Sequence, residues 1–257
     1  MKLIKKLNWF LSSQIGIDLR RMFFSIYDSG KYISDLLIFR MNYKGKIKLM
    51  PCFSDWRYDC GFVENEYFWQ DLYVAREIFK VNPKKHVDVG SKIDTFVAHV
   101  ASFRKVEIFD IRQMNSEIPG VIFKQADLMK PLVDHINYCD SISCLHALEH
   151  FGLGRYGDTI NVEGYKQGLF NMASILKDGG FFYLSVPTGF ERVEFNAHRV
   201  FNPLSLVEFA KSLDLSLLEL AWIDPITKLN LSRDQRYDLN MLANQHYMLA
   251  IFIFIKG

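Results

Sequence analysis

The chain has no CxxC pair among its four cysteines (Cys52, Cys60, Cys139 and Cys144), so a zinc knuckle is not expected. It also has no apolar run near the roughly 20 residues that a membrane-spanning helix needs. The longest, Tyr247 to Ile255, suits a buried strand. No Gly-Lys-Ser/Thr closes a glycine-rich loop, so no P-loop is present. Repeats and low-complexity tracts are missing too. The N-terminal lysines are followed only by a short apolar patch, Leu7 to Leu11, with neither a full apolar region nor a small-residue cleavage site. A secretory leader is therefore not expected, and a reducing, cytoplasmic compartment is. With 23% charged and 49% hydrophobic residues in 257, the chain fits one large domain with an extension and is neither disordered nor a coiled coil.

Charge is unevenly spread. Residues 1–50 hold ten Lys/Arg against three Asp/Glu, and the remaining 207 hold 21 against 26. A basic segment carrying Trp9, Phe10, Met22, Phe23, Phe24 and Ile26 can touch an anionic membrane surface, or pack as a helical extension with a solvated basic face. No aromatic-basic motif of a nucleic-acid reader is present, and a nucleic-acid partner is not expected.

Hydrophobic spacing predicts two or three short helices in residues 1–50, an irregular stretch with turn formers at Met50-Pro51, Ser54-Asp55 and Gly61, and an amphipathic helix from Tyr67 to Val81 ended by Asn82-Pro83. From His86 onward strands and helices alternate. Strands are expected at 86–90, 105–110, 120–125, 139–145, 181–186, 217–222 and 247–255, and helices at 93–103, 165–176 and 203–213. Lys177-Asp178-Gly179-Gly180 reads as a helix stop and turn. This is the rhythm of an α/β protein with a mostly parallel sheet covered on both faces. The expected division is a helical or irregular extension, 1–66, and an α/β domain, 67–257.

In such sheets ligands bind beyond the carboxyl ends of the strands. Four of these ends carry chemistry. Asp88, Gly90 and Ser91 sit at the first, where a glycine permits a tight turn beside a ligand and the next helix offers free N–H groups. Asp110, with Ile111, closes the second, about 20 residues on, where a carboxylate can accept from a ribose diol. Asp127 and Leu128 follow the third. After the fourth comes a His- and Glu-containing loop with His146, Glu149 and His150. Each acid taken alone can equally be a helix cap.

This order of acid, glycine, acid and acid resembles class I S-adenosylmethionine-dependent methyltransferases. A closer likeness lies in "HVDVGSKIDTFVAHVASF", "IFDIR", "FKQADLM", "LHALEHFGLGRYGD" and "FNAHRVF", which resemble the family called domain of unknown function 268. The resemblance implies a Rossmann-like sheet with an antiparallel last strand, and S-adenosylmethionine as cofactor with S-adenosylhomocysteine as product. Asp88, Gly90, Ser91, Asp110, Ile111, Asp127 and Leu128 would hold it. It also implies a sugar or activated glycan acceptor in bacterial surface-polysaccharide (capsule or O-antigen) biosynthesis. One departure stands out: the superfamily's turn has glycines at three alternate positions, and here Lys92 and Asp94 fill the second and third. Lys92 can crowd the cofactor's carboxylate or pair with it, and Asp94 repels it unless turned away. A non-catalytic binding or scaffold role in glycan assembly is the alternative this departure raises.

For a hydroxyl acceptor a general base is needed, and His146, His150 and His198 are the candidates. Arg155, Tyr156 and Arg199 are candidates for acceptor binding, and Tyr67, Gln70 and Asp71 for a lid from the preceding helix. His146-Ala147-Leu148-Glu149-His150 also spells H-x-x-E-H, but across a strand end rather than on one helical face, so a zinc peptidase is not expected. A divalent ion on His146, Glu149, His150 or Asp158, serving a metal-assisted transferase, is a further reading of this loop.

Overall fold

The computed structural model describes residues 8, 10–53, 55–57, 59–60, 63, 65–224, 226 and 228–257. Leu7, Trp9, Ser54 and Gly61, singled out above, lie outside the described residues. Two compact units are formed, Met1–Val63 and Glu64–Gly257.

In the first unit one helix, α1 (Leu19–Asn42), replaces the two or three short helices expected, preceded by a π-type turn at Leu11–Ile15. Nothing between residues 19 and 42 breaks it. Proline is absent, and a lone Gly30 costs a helix only about 1 kcal/mol. Asp18 caps its start by accepting from the Arg21 N–H at 3.0 Å. Asp28 is buried and ion-paired with Arg57, whose guanidinium lies 4.5 Å from the Trp56 ring and 4.9 Å from the Tyr27 ring. Phe23, Ile26, Ile33, Leu37 and Met41 are exposed.

The second unit opens with α2 (Glu66–Val81), capped by Asn65 and ended by Asn82 in a left-handed conformation. An eight-stranded sheet follows. It comprises β1 (His86–Val89), β2 (Val106–Asp110), β3 (Val121–Gln125), β4 (Cys139–Leu145), β5 (Leu176–Thr188), β8 (Leu215–Asp224), β9 (Lys228–Leu231) and β10 (Met248–Lys256). A separate two-stranded ribbon joins β6 (Arg192–Glu194) and β7 (His198–Val200). The order in the large sheet is β3-β2-β1-β4-β5-β10-β8-β9. The first five strands are mutually parallel, and β10 runs antiparallel to both β5 and β8. The mostly parallel sheet with an antiparallel last strand is thus as expected, and because both faces are covered at its centre, nearly every residue of β1 and β4 is buried, the polar His86, Asp88, Ser141 and Ser143 among them hydrogen-bonded to one another. On one side pack Tyr73, Val74 and Ile78 of α2 with Phe96, Val97 and Val100. On the other pack Leu169 and Met172 of α4 (Gly164–Ile175) and Leu206 and Ala210 of α5 (Pro203–Lys211). The short helix α3 (Ala98–Ala101) continues a π-type turn, Ile93–Val97.

Other features depart from the expected pattern. Residues 177–180 do not form a free turn: β5 begins at Leu176 and runs through them, with a register irregularity between Cys139 and Ser141 on β4. His198 and Arg199 lie in β7. And β9 and α6 (Gln235–Ala243) were not foreseen, because neither carries a strong apolar period.

Candidate functional site

The carboxyl ends of β1, β2 and β4 open onto two adjoining cavities. The first holds about 540 Å³ of open space. Val89, Phe109, Ile111, Leu128 and Phe151 form its walls, and Gly90, Asp110 and Asp127 its rim. The second holds about 1060 Å³ and is polar: Glu66, Tyr67, Gln70, Asp71, Ser91, Lys92, Glu149, Arg155, His198 and Tyr247 line it. Gly90, Arg112, His146, His150 and Tyr156 border both.

Gly90 is required twice over. Its φ is +69°, and a Cβ there would stand 3.0 Å from the Ala147 Cβ. Its N–H donates to the Phe109 carbonyl at 3.0 Å, bringing the β1 turn against the end of β2. Asp88 does not face either cavity. It is fully buried, and its carboxylate accepts from Ser143 Oγ (2.5 Å), Ser91 Oγ (2.7 Å) and the Ser91 N–H (3.2 Å). Burial pushes its pKa up to about 6 against these hydrogen bonds. Asp88 therefore shapes the turn, and of this pair only Ser91 reaches a cavity. Lys92 borders the polar cavity, while Asp94 points to solvent with its side chain 77% exposed, which removes the repulsion expected from it.

Asp110 and Asp127 stand on the rim of the first cavity, and both are already engaged. The Arg112 backbone N–H (2.8 Å) and Nε (3.0 Å) donate to Asp110 Oδ1, and Arg112 Nη2 donates to Oδ2 (2.6 Å). Asp127 accepts from the Met129 N–H at 3.0 Å and lies 3.6 Å from Lys130 Nζ. Arg112 was not singled out from sequence. A basic residue two positions after a strand-end acid, free to fold back on it, was the available signal.

The two histidines of the β4 loop differ sharply. His146 adopts φ +52°, uncommon for a side-chain-bearing residue. Its Nδ1 lies 2.7 Å from Glu149 Oε1, its Nε2 3.4 Å from Glu66 Oε1, and its ring 4.6 Å from that of Tyr67. Burial opposes its charge, yet the two carboxylates outweigh burial and push its pKa up to about 9. It is an imidazolium. His150 is neutral instead: burial lowers its pKa, outweighing the Glu149 charge, with Arg155 and His146 adding to the lowering. Its Nδ1 lies 2.7 Å from the Ala197 carbonyl, which can only accept. So Nδ1 carries the proton and Nε2 keeps a lone pair.

Glu66 and Tyr247 complete this wall, Tyr247 donating to Glu66 Oε1 at 2.8 Å. They are 181 residues apart and carry no local sequence signal. Burial raises the Tyr67 hydroxyl, with help from Glu149 and Glu66, to about 12, so it stays a phenol. Gln70 is buried, accepts from Ser185 Oγ and donates to Asp71 Oδ1 at 2.7 Å. His198 borders the polar cavity, 3.8 Å from Glu194. Arg155 donates to the Ala197 carbonyl at 2.8 Å.

Arg199, expected to meet the acceptor, borders neither cavity. It is buried and donates to the carbonyls of Phe151 (2.5 Å), Glu149 (3.4 Å) and Val162 (3.4 Å). Its guanidinium stacks 5.1 Å from the Tyr165 ring, so it braces the His150 loop from behind. Asp158 organises the glycine-rich loop, accepting from the N–H groups of Gly152 (2.8 Å), Gly154 (3.1 Å) and Tyr156 (3.2 Å). Among the described residues no group of three or more His, Cys, Asp or Glu is arranged to hold a metal ion.

The fold has parallels among solved structures. One is the 1,6-didemethyltoxoflavin-N1-methyltransferase of Burkholderia thailandensis, solved with 1,6-didemethyltoxoflavin and S-adenosylhomocysteine. It is similar at 14% identity over 76% of this chain and 80% of that one, with a TM-score of 0.51. Another is phosphoethanolamine N-methyltransferase 2 of Haemonchus contortus, solved with phosphomonomethylethanolamine and S-adenosylhomocysteine. The identity is 13% over 79% of this chain and 56% of that one, with a TM-score of 0.51. The fold is that of class I S-adenosylmethionine-dependent methyltransferases. No curated protein matches the sequence. The family model described as "Caenorhabditis protein of unknown function, DUF268" matches residues 94–230, more than half of the 257, and the chain belongs to that family.

Proposed function

We propose that this protein is an S-adenosylmethionine-dependent methyltransferase that methylates an oxygen of a small, hydroxyl-rich acceptor. The observation that carries the reading is His150, a neutral imidazole with an unprotonated Nε2 on the border of an apolar cavity and a polar one. The first cavity fits the cofactor. Its apolar walls suit an adenine ring, and Gly90, Asp110, Ile111, Asp127 and Leu128 are the residues that would hold the nucleoside. When bound, S-adenosylmethionine supplies a methyl group on a positively charged sulfur.

The rest is the work of the chain's own residues. His150 Nε2 accepts the proton of an acceptor hydroxyl, and the Ala197 carbonyl holds the ring and its tautomer. Tyr67, Gln70, Arg155, Tyr156 and His198 offer the acceptor donors and acceptors in a fixed frame. His198 is a second candidate for the base, being the remaining imidazole on the polar wall among the described residues. His146 is unsuited: as an imidazolium between two carboxylates it has no lone pair to offer. The polarity of this cavity supports a sugar or an activated glycan precursor as acceptor, which the family resemblance links to bacterial surface polysaccharide.

Calorimetric titration with S-adenosylhomocysteine tests the reading. Binding in the micromolar range is expected. Absence of heat at high micromolar ligand would favour a non-catalytic scaffold, a role that the engagement of Asp110 by Arg112 also accommodates.

No helix among the described residues is long and apolar enough to cross a membrane. The exposed apolar residues of α1 and the basic balance of residues 1–50 support reversible contact with an anionic membrane surface on the cytoplasmic side. Liposome flotation that requires anionic lipid and falls with salt is the expected result.

A further inference from the structure

We propose that Arg112 and the cofactor's ribose compete for Asp110, and that the displaced guanidinium then receives an anionic group of the acceptor. This rests on the reading of Asp110 as the ribose-binding acid.

The argument begins with lone pairs. A carboxylate has about four acceptor sites, two on each oxygen. Oδ1 of Asp110 already accepts from the Arg112 backbone N–H and from Nε, which fills it. Oδ2 accepts from Nη2 and keeps one site. A ribose diol brings two O–H donors, so only one of them finds a place while the guanidinium stays. Full engagement of the diol requires the Arg112 side chain to leave, whereas its backbone N–H can remain.

Departure is geometrically simple. The Arg112 side chain is 51% exposed and borders both cavities, so it can leave one carboxylate without crossing packed atoms. Its guanidinium lies 4.6 Å from the Tyr156 ring, a contact that can persist as a pivot.

Once off Asp110, the guanidinium is a planar cation with five donors facing the polar cavity. Of the carboxylates there, Glu66 and Glu149 share the single charge of the His146 imidazolium, and Asp71 accepts from the neutral Gln70. Lys92 and Arg155 line the same cavity, Arg155 bonded to a neutral carbonyl and Lys92 no closer than 4.0 Å to the exposed Asp94. With Lys92, Arg155, the His146 imidazolium and the freed Arg112 set against Glu66, Asp71 and Glu149, the cavity keeps a formal positive excess of one, and a phosphate or carboxylate matches the guanidinium fork. Cofactor and anionic acceptor therefore bind with positive coupling, which by linkage is reciprocal.

The test uses the full chain and two ligands, S-adenosylhomocysteine and inorganic phosphate, titrated singly and together into wild type, Arg112→Ala, Arg112→Gln and Asp110→Asn. Arg112→Ala and Arg112→Gln are expected to bind S-adenosylhomocysteine about 3–10-fold more tightly than wild type, since a competing charged hydrogen bond is gone. Phosphate is expected to bind wild type about fivefold or more tightly when S-adenosylhomocysteine is saturating, with the same factor in the reverse order. Both Arg112 variants should lose this coupling. Weaker or unchanged S-adenosylhomocysteine binding in both variants overturns the proposal alone, as does coupling that survives in them or is missing from wild type. Failure of wild type to bind S-adenosylhomocysteine, or undiminished affinity in Asp110→Asn, overturns the ribose reading itself and this proposal with it.

Discussion

The two cavities that meet at His150 are built from opposite materials. One is walled by hydrocarbon, with its acids confined to the rim, while the other is walled by ionised and hydrogen-bonding groups. The contrast is repeated within a single loop. His146 and His150 are four residues apart, yet one is a charged imidazolium and the other a neutral ring. Sequence proximity decides neither state. His146 has two carboxylates within ion-pair distance, and their attraction outweighs the cost of burying a cation. His150 has burial acting against a single carboxylate, Glu149 at 3.8 Å, and with Arg155 and His146 as cationic neighbours and a neutral carbonyl at Nδ1, burial prevails. One loop thus holds a fixed charge beside a neutral ring, two states of the same side chain set by their surroundings.

The contrast can be broken most directly at the wall the cavities share. Arg199→Ala removes the brace behind the His150 loop and leaves carbonyls unpaired. It is expected to destabilise the protein by about 2–4 kcal/mol, read from the denaturation midpoint. A near-neutral result would show that the loop holds its shape without Arg199. Next in size, Asp110→Asn should weaken S-adenosylhomocysteine about 10–100-fold, as loss of charged hydrogen bonds predicts, while Glu66→Gln in the polar wall changes it by no more than about twofold. The reverse pattern would exchange the roles of the two cavities.

A smaller effect separates the histidines by pH. The folded-state pKa of His146 is raised from 6.5 to about 9, so its contribution to stability is fully present below pH 6.5 and is lost as pH rises through 9. Melting temperature should fall across that window in wild type. Glu149→Gln should flatten the fall by weakening the partner that holds the proton. An equal slope in both would remove Glu149 as its cause. The finest test is histidine-selective NMR titration: His150 should titrate below 6.5 and His146 well above it. Coincident titrations would erase the distinction on which the choice of base rests.

Much of this is legible in the order of the amino acids. Short strand-like segments followed by Gly90, Asp110 and Asp127 announce strands whose ends open onto a cavity, because a parallel sheet buries its interior and leaves polar groups at its carboxyl edge. What cannot be read there is the set of side chains that arrive from elsewhere. Glu66 and Tyr247 come from opposite ends of the second unit and meet only through the sheet. Arg199 looks like a ligand-binding arginine because nothing local shows that Phe151, Glu149 and Val162 present their carbonyls to it. Asp88 is misplaced by sequence reasoning for a similar cause. Its partner Ser143 lies on β4, 55 residues away, and draws the carboxylate inward. The ribbon of β6 and β7 escapes because three-residue strands carry too little alternation to register.

The position of β10 has a consequence for how the molecule matures. Residues Met248–Lys256 are wedged between β5 and β8, and their side chains are largely buried. During synthesis the strands made earlier must wait, with a gap at the middle of their sheet, until Lys256 has cleared the ribosome. A nascent chain stalled before residue 248 should stay protease-sensitive and chaperone-bound even though the residues that line both cavities have already been translated.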